Sequence, residues 1–246
     1  MSTTGSETRR AVIMAGGVGS RLLPHTRVLP KPLMLVNGMP LLDILIRQLR
    51  ANGFDHVTLS LGYLGRLIRS YCGDGERFGV RLDYVQEEKP EGTAGALRLL
   101  RDFDESVLVV NGDLLTDLDF GQMLDDHRAS SAALTIAAFQ RHHDVPFGVL
   151  EFDGDRRMTR FEERPRLSHW VSAGIYGASP EVLDFMPAEG PVGFDKVVNR
   201  LNDAGTPPHV HPFEGVWLDL AHPPEFARAE EVMNRHGERL LRNGAK

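Results

Sequence analysis

Cysteine is almost missing from this sequence: Cys72 is the only one among 246 residues, so no intramolecular disulfide can form. Long apolar runs are missing as well, and none approaches the roughly 18 residues that a membrane-spanning helix needs. Met1 to Arg10 is polar and lacks the apolar core of a signal peptide, so a cytoplasmic location is expected, with no membrane partner. Positive charge is not in excess. The net charge is −6, which gives no bulk attraction to nucleic acid, so any phosphate must be held by a local site. Lysine is scarce, and of Lys31, Lys89, Lys196 and Lys246 only Lys31 stands between two prolines. No Pro-rich, Gly/Ser-rich or like-charged linker and no internal repeat breaks the chain. Residues 10–233 are therefore expected to form one domain, with a flexible N-terminus at 1–9 and a polar, fraying tail at 234–246.

What the sequence does contain is an alternation of strand and helix patterns. Ala11 to Ala15 is a short apolar run ending in Gly16-Gly17, as a buried parallel strand would. Leu41, Leu42, Leu45, Ile46 and Leu49 recur at helical spacing, and Asn52-Gly53 stops that helix. Val57–Leu61, Arg81–Val85 and Val107–Val110 read as strands, with helices over Leu64–Tyr71, from near Thr93, and over Leu118–His127. The fold class that follows is α/β, a Rossmann-like doubly wound and mostly parallel sheet. Beyond residue 130 the connections shorten. Ala132–Ala138, Phe147–Phe152, Arg157–Phe161 and Trp170–Ala178 predict an antiparallel extension, followed by helices near Phe194–Asn202 and Pro224–Met233.

Ligands of open α/β sheets bind beyond the carboxyl ends of the strands, which places Gly16–Arg21, Glu87–Thr93 and Asn111–Asp113 on one rim. Gly16-Gly17-Val18-Gly19-Ser20-Arg21 can turn successive N–H groups toward an anion, and Arg21 adds a forked cation. It is not a Walker loop, because Leu22 follows Arg21, and it lacks the third glycine of a dinucleotide fingerprint. The loop runs on through Leu22-Leu23-Pro24-His25-Thr26 to Pro30-Lys31-Pro32, whose prolines aim Lys31 at the same rim.

This string resembles the signature of the sugar-1-phosphate nucleotidyltransferases, or NDP-sugar pyrophosphorylases, and is closest in look to mannose- and heptose-1-phosphate guanylyltransferases. Gly92-Thr93-Ala94-Gly95-Ala96 is similar to the family's nucleotide-contacting turn, and Asn111-Gly112-Asp113 to its metal-binding strand end. Phe147-Gly148-Val149, Glu162-Glu163-Arg164-Pro165 and Ala173-Gly174-Ile175-Tyr176 resemble sugar-side segments of the antiparallel, sugar-binding extension, and Trp217-Leu218-Asp219 the box with a second metal ligand. The resemblance implies that Ala15, Gly16, Gly17, Gly19, Ser20, Arg21, Glu87, Gly92, Thr93 and Gly112 bind the nucleotide. It implies catalytic roles for Arg21, Lys31 and Asp113, Mg²⁺ on Asp113 and Asp219, and acceptor contacts from Gly148, Glu163, Arg164, Ser172 and Gly174. Arg164, Ser172 and Ala221-His222 depart from the family's usual residues, all on the acceptor side, so mannose, heptose, glucose and cyclitol 1-phosphates stay open.

The expected partners are an NTP and a sugar-1-phosphate-like acceptor, and a homodimer is compatible with the sequence. GTP is favoured over UTP or dTTP because Glu87 stands where pyrimidine-reading relatives carry glutamine, although Gln86-Glu87-Glu88-Lys89 also reads as a solvated charged loop. Asp117-Leu118-Asp119 keeps a nucleotide-sugar-dependent glycosyltransferase as the alternative. The paired His142-His143 and His209-x-His211 read as solvated side chains rather than metal ligands.

Overall fold

Strand β1 (Arg9–Ala15) buries side chains on both faces, with Ala11, Ile13 and Ala15 on one side and Val12 on the other, so it needs cover on each side. That cover exists in the computed structural model, which describes residues 8–100 and 103–242. The remaining strands are β2 (Leu35–Val36), β3 (Met39–Pro40), β4 (Phe54–Leu61), β5 (Arg81–Gln86), β6 (Val107–Asn111), β7 (Leu114–Thr116), β8 (Leu134–Asp144), β9 (Val149–Phe152), β10 (Met158–Glu162), β11 (Arg166–Ala178), β12 (His209–Phe213) and β13 (Trp217–Asp219). The helices are α1 (Leu41–Ala51), α2 (Gly65–Cys72), α3 (Phe120–Ser130), α4 (Phe194–Asp203) and α5 (Pro223–Arg242).

Seven strands form the central sheet in the order β12-β8-β11-β6-β1-β4-β5. β1 is parallel to both β4 and β6, β4 is parallel to β5, and β12 is parallel to β8. Only β11 runs the other way, antiparallel to β6 and β8. The fold is thus the expected α/β architecture with a mostly parallel sheet. Its antiparallel part is one reversed strand within the sheet plus the small ribbons β9–β10, β7–β13 and β2–β3. Ile13, Leu59 and Val110 pack with Leu42, Leu45, Ile46, Ile68 and Met123 from α1, α2 and α3. On the opposite face Val12, Val107 and Val109 meet Val197 and Leu201 of α4.

Three expectations change. The helix from near Thr93 is only a 3-10 turn, Gly95–Leu99, ending where Leu100 turns extended; the Ala94 and Gly95 N–H groups at its start both donate to the Val192 carbonyl at 3.0 and 3.2 Å. The polar tail from residue 234 continues α5 as far as Arg242. Met233 and Leu240 lie seven residues apart on one helical stripe and are buried with Leu41 and Ile44, which the tail's polar composition conceals. Gln48 locks this packing by donating its Nε2 to the carbonyls of Thr116 and Leu240 at 2.6 and 2.7 Å. Of the N-terminus expected to be flexible, residues 1–7 lie outside the described residues, while Arg9 already belongs to β1 and pairs with Asp125 at 2.7 Å.

One buried group makes the fold pH-sensitive. His127 on α3 is fully buried, with Nδ1 2.8 Å from the Thr135 hydroxyl and Nε2 3.0 Å from that of Ser179. Burial, with Arg128 adding repulsion, pushes its pKa down to about 4 from 6.5. A base depressed in the folded state stays neutral there but takes a proton once unfolded. Its contribution is therefore complete above pH 6.5 and is lost as pH falls toward 4. Over that window the wild type should lose on the order of 3 kcal/mol more than His127→Asn. Urea unfolding of both proteins at several pH values tests this, and parallel profiles would contradict it.

Candidate active site

Because the parallel strands share a direction, β1, β4, β5 and β6 all end on one edge, and the loops that leave them meet there. The loop after β1 is held against the end of β4: the Gly16 carbonyl accepts from Tyr63 N–H at 3.2 Å. A Cβ on Gly62 would fall 2.6 Å from the Gly16 oxygen, so this approach requires glycine. Further along, the buried Thr26 donates its hydroxyl to the Gly19 carbonyl at 2.9 Å and folds the loop into short 3-10 turns. Ala15 is buried beneath the loop, while Gly17, Ser20 and Arg21 face solvent. The loop thus leaves Gly17, Ser20 and Arg21 exposed on a fixed base.

The third turn carries Lys31 to the end of β6, where its Nζ forms an ion pair with Asp113 Oδ2. The two side chains are mostly buried and stand 82 positions apart in sequence. Asp219 comes to the same place through the β7–β13 ladder. It pairs with Leu114, and Leu220 N–H donates to the Asp113 carbonyl at 2.9 Å. Among the described residues the Asp219 carboxylate has local partners, Ala221 N–H at 2.9 Å and the His222 ring at 3.6 Å. Gly112 packs tightly beneath, its N–H donating to the Met14 carbonyl at 2.9 Å.

Glu87 is not part of a solvated loop. Its Oε1 accepts from the Ser60 hydroxyl at 2.6 Å, its Oε2 from Glu91 N–H at 3.2 Å, and its own N–H donates to Leu61 at 2.8 Å. It lines an open cavity of about 650 Å³ with Gly62, Leu64, Gly65 and Glu88, beside the glycine loop. The Gly92-Thr93 turn is docked on the segment before α4. Gly92 has φ +80°, a Cβ there would lie 2.5 Å from the Val192 oxygen, and Thr93 Oγ1 accepts from Phe194 N–H at 3.3 Å.

The acceptor candidates fall into two groups. Gly148 and Glu163 lie together at the root of the β9–β10 ribbon, where Gly148 packs on the Phe161 ring, and the exposed Arg164 follows at φ +48°. Ser172 and Gly174 sit on β11 instead. Gly174 abuts Asn111, and the Ser172 and Tyr176 hydroxyls are 3.2 Å apart. Sequence reasoning missed Ser60 and Val192 as supports of the site. For Ser60 the signal was present, because His56, Thr58 and Ser60 alternate as polar residues along a strand that is otherwise buried.

The glycosyltransferase alternative fails here. The buried Asp117 Oδ1 accepts from Val216 N–H at 2.8 Å and its Oδ2 pairs with Arg239 at 2.8 Å, while Asp119 caps α3 by accepting from Gln122 N–H at 2.8 Å. His209 and His211 both face Asp126, at 3.3 and 2.8 Å, and His142 faces Ser168 at 2.8 Å.

The nucleotidyl transferase family model matches residues 10–235, and the chain belongs to that family. It is 32% identical to a UTP–glucose-1-phosphate uridylyltransferase of Synechocystis, covering 89% of this chain and 62% of that one. It is 30% identical to a mannose-1-phosphate guanylyltransferase of Mycobacterium tuberculosis, covering 96% of this chain and 70% of that one. The chain thus spans about two thirds of the length of these curated relatives. Among solved structures, HddC from Yersinia pseudotuberculosis complexed with GMP-PN superposes with a TM-score of 0.68 at 23% identity, over 92% of this chain and all of that one, which shows the same fold. Among the described residues no helix is long and apolar enough to cross a membrane.

Two glycines of the site separate space from strain. Gly92→Ala places a Cβ against the Val192 carbonyl at positive φ and should lower the unfolding free energy by about 1–3 kcal/mol, whereas Gly17 has open space around it and Gly17→Ala should be near neutral. Urea denaturation of the two variants decides; equal midpoints would refute the docking described for the Gly92 turn.

Proposed function

We propose that this chain transfers a nucleoside monophosphate from an NTP, preferably GTP, to a sugar-1-phosphate-like acceptor in the cytoplasm, releasing pyrophosphate. The observation that carries this reading is the meeting of Lys31, Asp113 and Asp219 at the rim beside the glycine loop. A phosphate monoester has a second pKa of about 6, so the acceptor is already a nucleophile at pH 7 and needs no general base. Its oxygen forms the new bond to the α-phosphorus as the bond to pyrophosphate breaks, and catalysis consists of alignment and charge neutralisation.

Each group has a role in that scheme. The N–H groups around Gly16, Gly17, Gly19 and Ser20, with Arg21, grip the triphosphate. Lys31 neutralises charge near the α-phosphate. Asp113 and Asp219 offer hard carboxylate oxygens to one edge, which fits Mg²⁺, a cation that takes one or two carboxylates and completes its shell with phosphates and water. Bound there, Mg²⁺ would supply Lewis-acid charge stabilisation. Lys31 holds Asp113 in place until the phosphates arrive. Gly148, Glu163, Arg164, Ser172 and Gly174 face the acceptor in this reading.

Replacing either charge at this contact should damage turnover more than folding. Asp113→Asn should lower kcat by at least about a hundredfold at saturating Mg²⁺, the scale of one lost electrostatic group. Lys31→Ala should lower kcat/KM with little change in the thermal midpoint. Steady-state assays of pyrophosphate release beside thermal melts check both, and near-normal turnover by Asp113→Asn would remove the metal assignment.

Base choice rests on Glu87. A carboxylate has about four acceptor positions. Ser60 and Glu91 occupy one on each oxygen, leaving two for the N1–H and exocyclic amine of guanine. Uracil offers one donor between carbonyls that repel the charge. GTP should therefore outpace UTP by orders of magnitude in kcat/KM, and Glu87→Gln should erode that preference. Equal use of GTP and UTP by the wild type would reject the proposal.

A further inference from the structure

Arg98 belongs to none of the sequence motifs, yet its side chain is mostly buried on the 3-10 turn that follows Gly92-Thr93. Among the described residues its guanidinium has three partners. Nη1 donates to the Pro187 carbonyl at 2.7 Å, while Nη2 donates to the Gly190 carbonyl at 2.6 Å and to Glu91 Oε2 at 2.5 Å. The rigid planar fork of an arginine holds three such acceptors in place, which a lysine ammonium on a flexible stem does not. Gly95 makes room for the pair. A Cβ there would lie 2.9 Å from Glu91 Cβ and 3.2 Å from Arg98 Nη2.

Pro187 and Gly190 lie in the segment that leads to α4, the same segment on which the Gly92-Thr93 turn is docked. Val192 N–H donates to the Glu91 carbonyl at 2.8 Å, and the Val192 carbonyl takes the Ala94 and Gly95 N–H groups. Arg98 closes this joint a second time, through side chains. Glu91 is common to both closures, and its own N–H donates to Glu87 Oε2 at 3.2 Å. The other Glu87 oxygen takes the Ser60 hydroxyl at 2.6 Å. The carboxylate is thus held from two directions, by a buried residue of β4 and by a turn whose place depends on Arg98.

We propose that Arg98 is a positioning residue for base selection, acting through Glu91 on Glu87; this rests on the reading of Glu87 given above. A bidentate contact with guanine needs both carboxylate oxygens fixed in one plane. Without Arg98 the Glu91 N–H is no longer held in register, and the Glu87 carboxylate can rotate about its bond to Ser60. It then meets one guanine donor at a time. Lys31, Asp113 and Asp219 lie on other segments, so the groups assigned to phosphate and metal are left in place.

Two measurements test this, and neither needs the acceptor. Hydrogen exchange reads the joint itself: in Arg98→Ala the amides of Ala94, Gly95 and Val192 should exchange at least about tenfold faster than in the wild type. Calorimetric titration with Mg²⁺ and either GTP or inosine triphosphate, which lacks the exocyclic amine, reads base selection. The wild type should bind GTP at least about tenfold more tightly, the scale of one hydrogen bond to a charged group. Arg98→Ala should bind the two about equally. Should that variant fail to fold, Glu91→Gln keeps the backbone N–H and removes the charge that Arg98 grips, and the preference should fall at least about threefold. Equal losses of affinity for both nucleotides would show a merely structural arginine and overturn the proposal. Unchanged exchange, or a full GTP preference in a variant that folds, would overturn it too. Wild-type protein that binds both nucleotides alike would reject the Glu87 reading, and this proposal with it, before any variant is measured.

Discussion

The ion pair between Lys31 and Asp113 is the contact on which the arrangement of the rim depends. Between β1 and α1 the chain has no long element of its own, only short 3-10 turns and the two-residue strands β2 and β3. Such a segment gains little from its own hydrogen bonds. It is held by Thr26 from within, by the Gly16–Gly62 approach at one end and by Lys31 on Asp113 at the other. Opposite charges placed together away from bulk water attract strongly, which fixes where each side chain points. In the function proposed here the same pair serves phosphate chemistry, because a cation and a carboxylate side by side at the rim are groups that suit a polyphosphate and a hard metal ion.

A second constraint is the reversed strand. β11 is the only strand of the central sheet to run against the others, and it brings Ser172 and Gly174 back to the edge where β6 ends at Asn111. A parallel strand at that position would have ended there instead of beginning, and would have carried its early residues to the opposite edge. The reversal also lets β9 and β10 project as a ribbon between β8 and β11. At the root of that ribbon Gly148 lies against the Phe161 ring, with the Glu163 carboxylate beside it.

Much of the fold was legible in the sequence because periodicity reports burial directly. The apolar run at Ala11–Ala15 and the spacing of Leu41 to Leu49 predict elements that the structure extends by two residues at one end only. Legibility ended where partners distant in sequence overrode local preference. The Val192 carbonyl docks the Gly92–Gly95 turn onto the segment before α4, and the chain turns extended at Leu100, while α5 extends past Met233 because α1 offers Leu240 a place to be buried. Composition describes a tail of that kind as polar and cannot see the surface it lies on.

The division at the site has the same cause. Residue types and spacing by themselves determined that a glycine-rich loop, an arginine and a proline-flanked lysine follow a buried strand, and that carboxylates stand after others, since those are properties of the covalent chain. Only the tertiary structure decided which carboxylates stand at the rim and which are spent elsewhere. Asp117 and Asp119 look as suitable in sequence as Asp113 and Asp219, yet one is spent on Val216 and Arg239 and the other on capping α3. Glu87 likewise looks like its neighbour Glu88 until Ser60 and Glu91 are found holding it at the edge of a cavity. A side chain's chemistry is written in the sequence, but its availability depends on which hydrogen bonds it has already made, and those partners are chosen by folding.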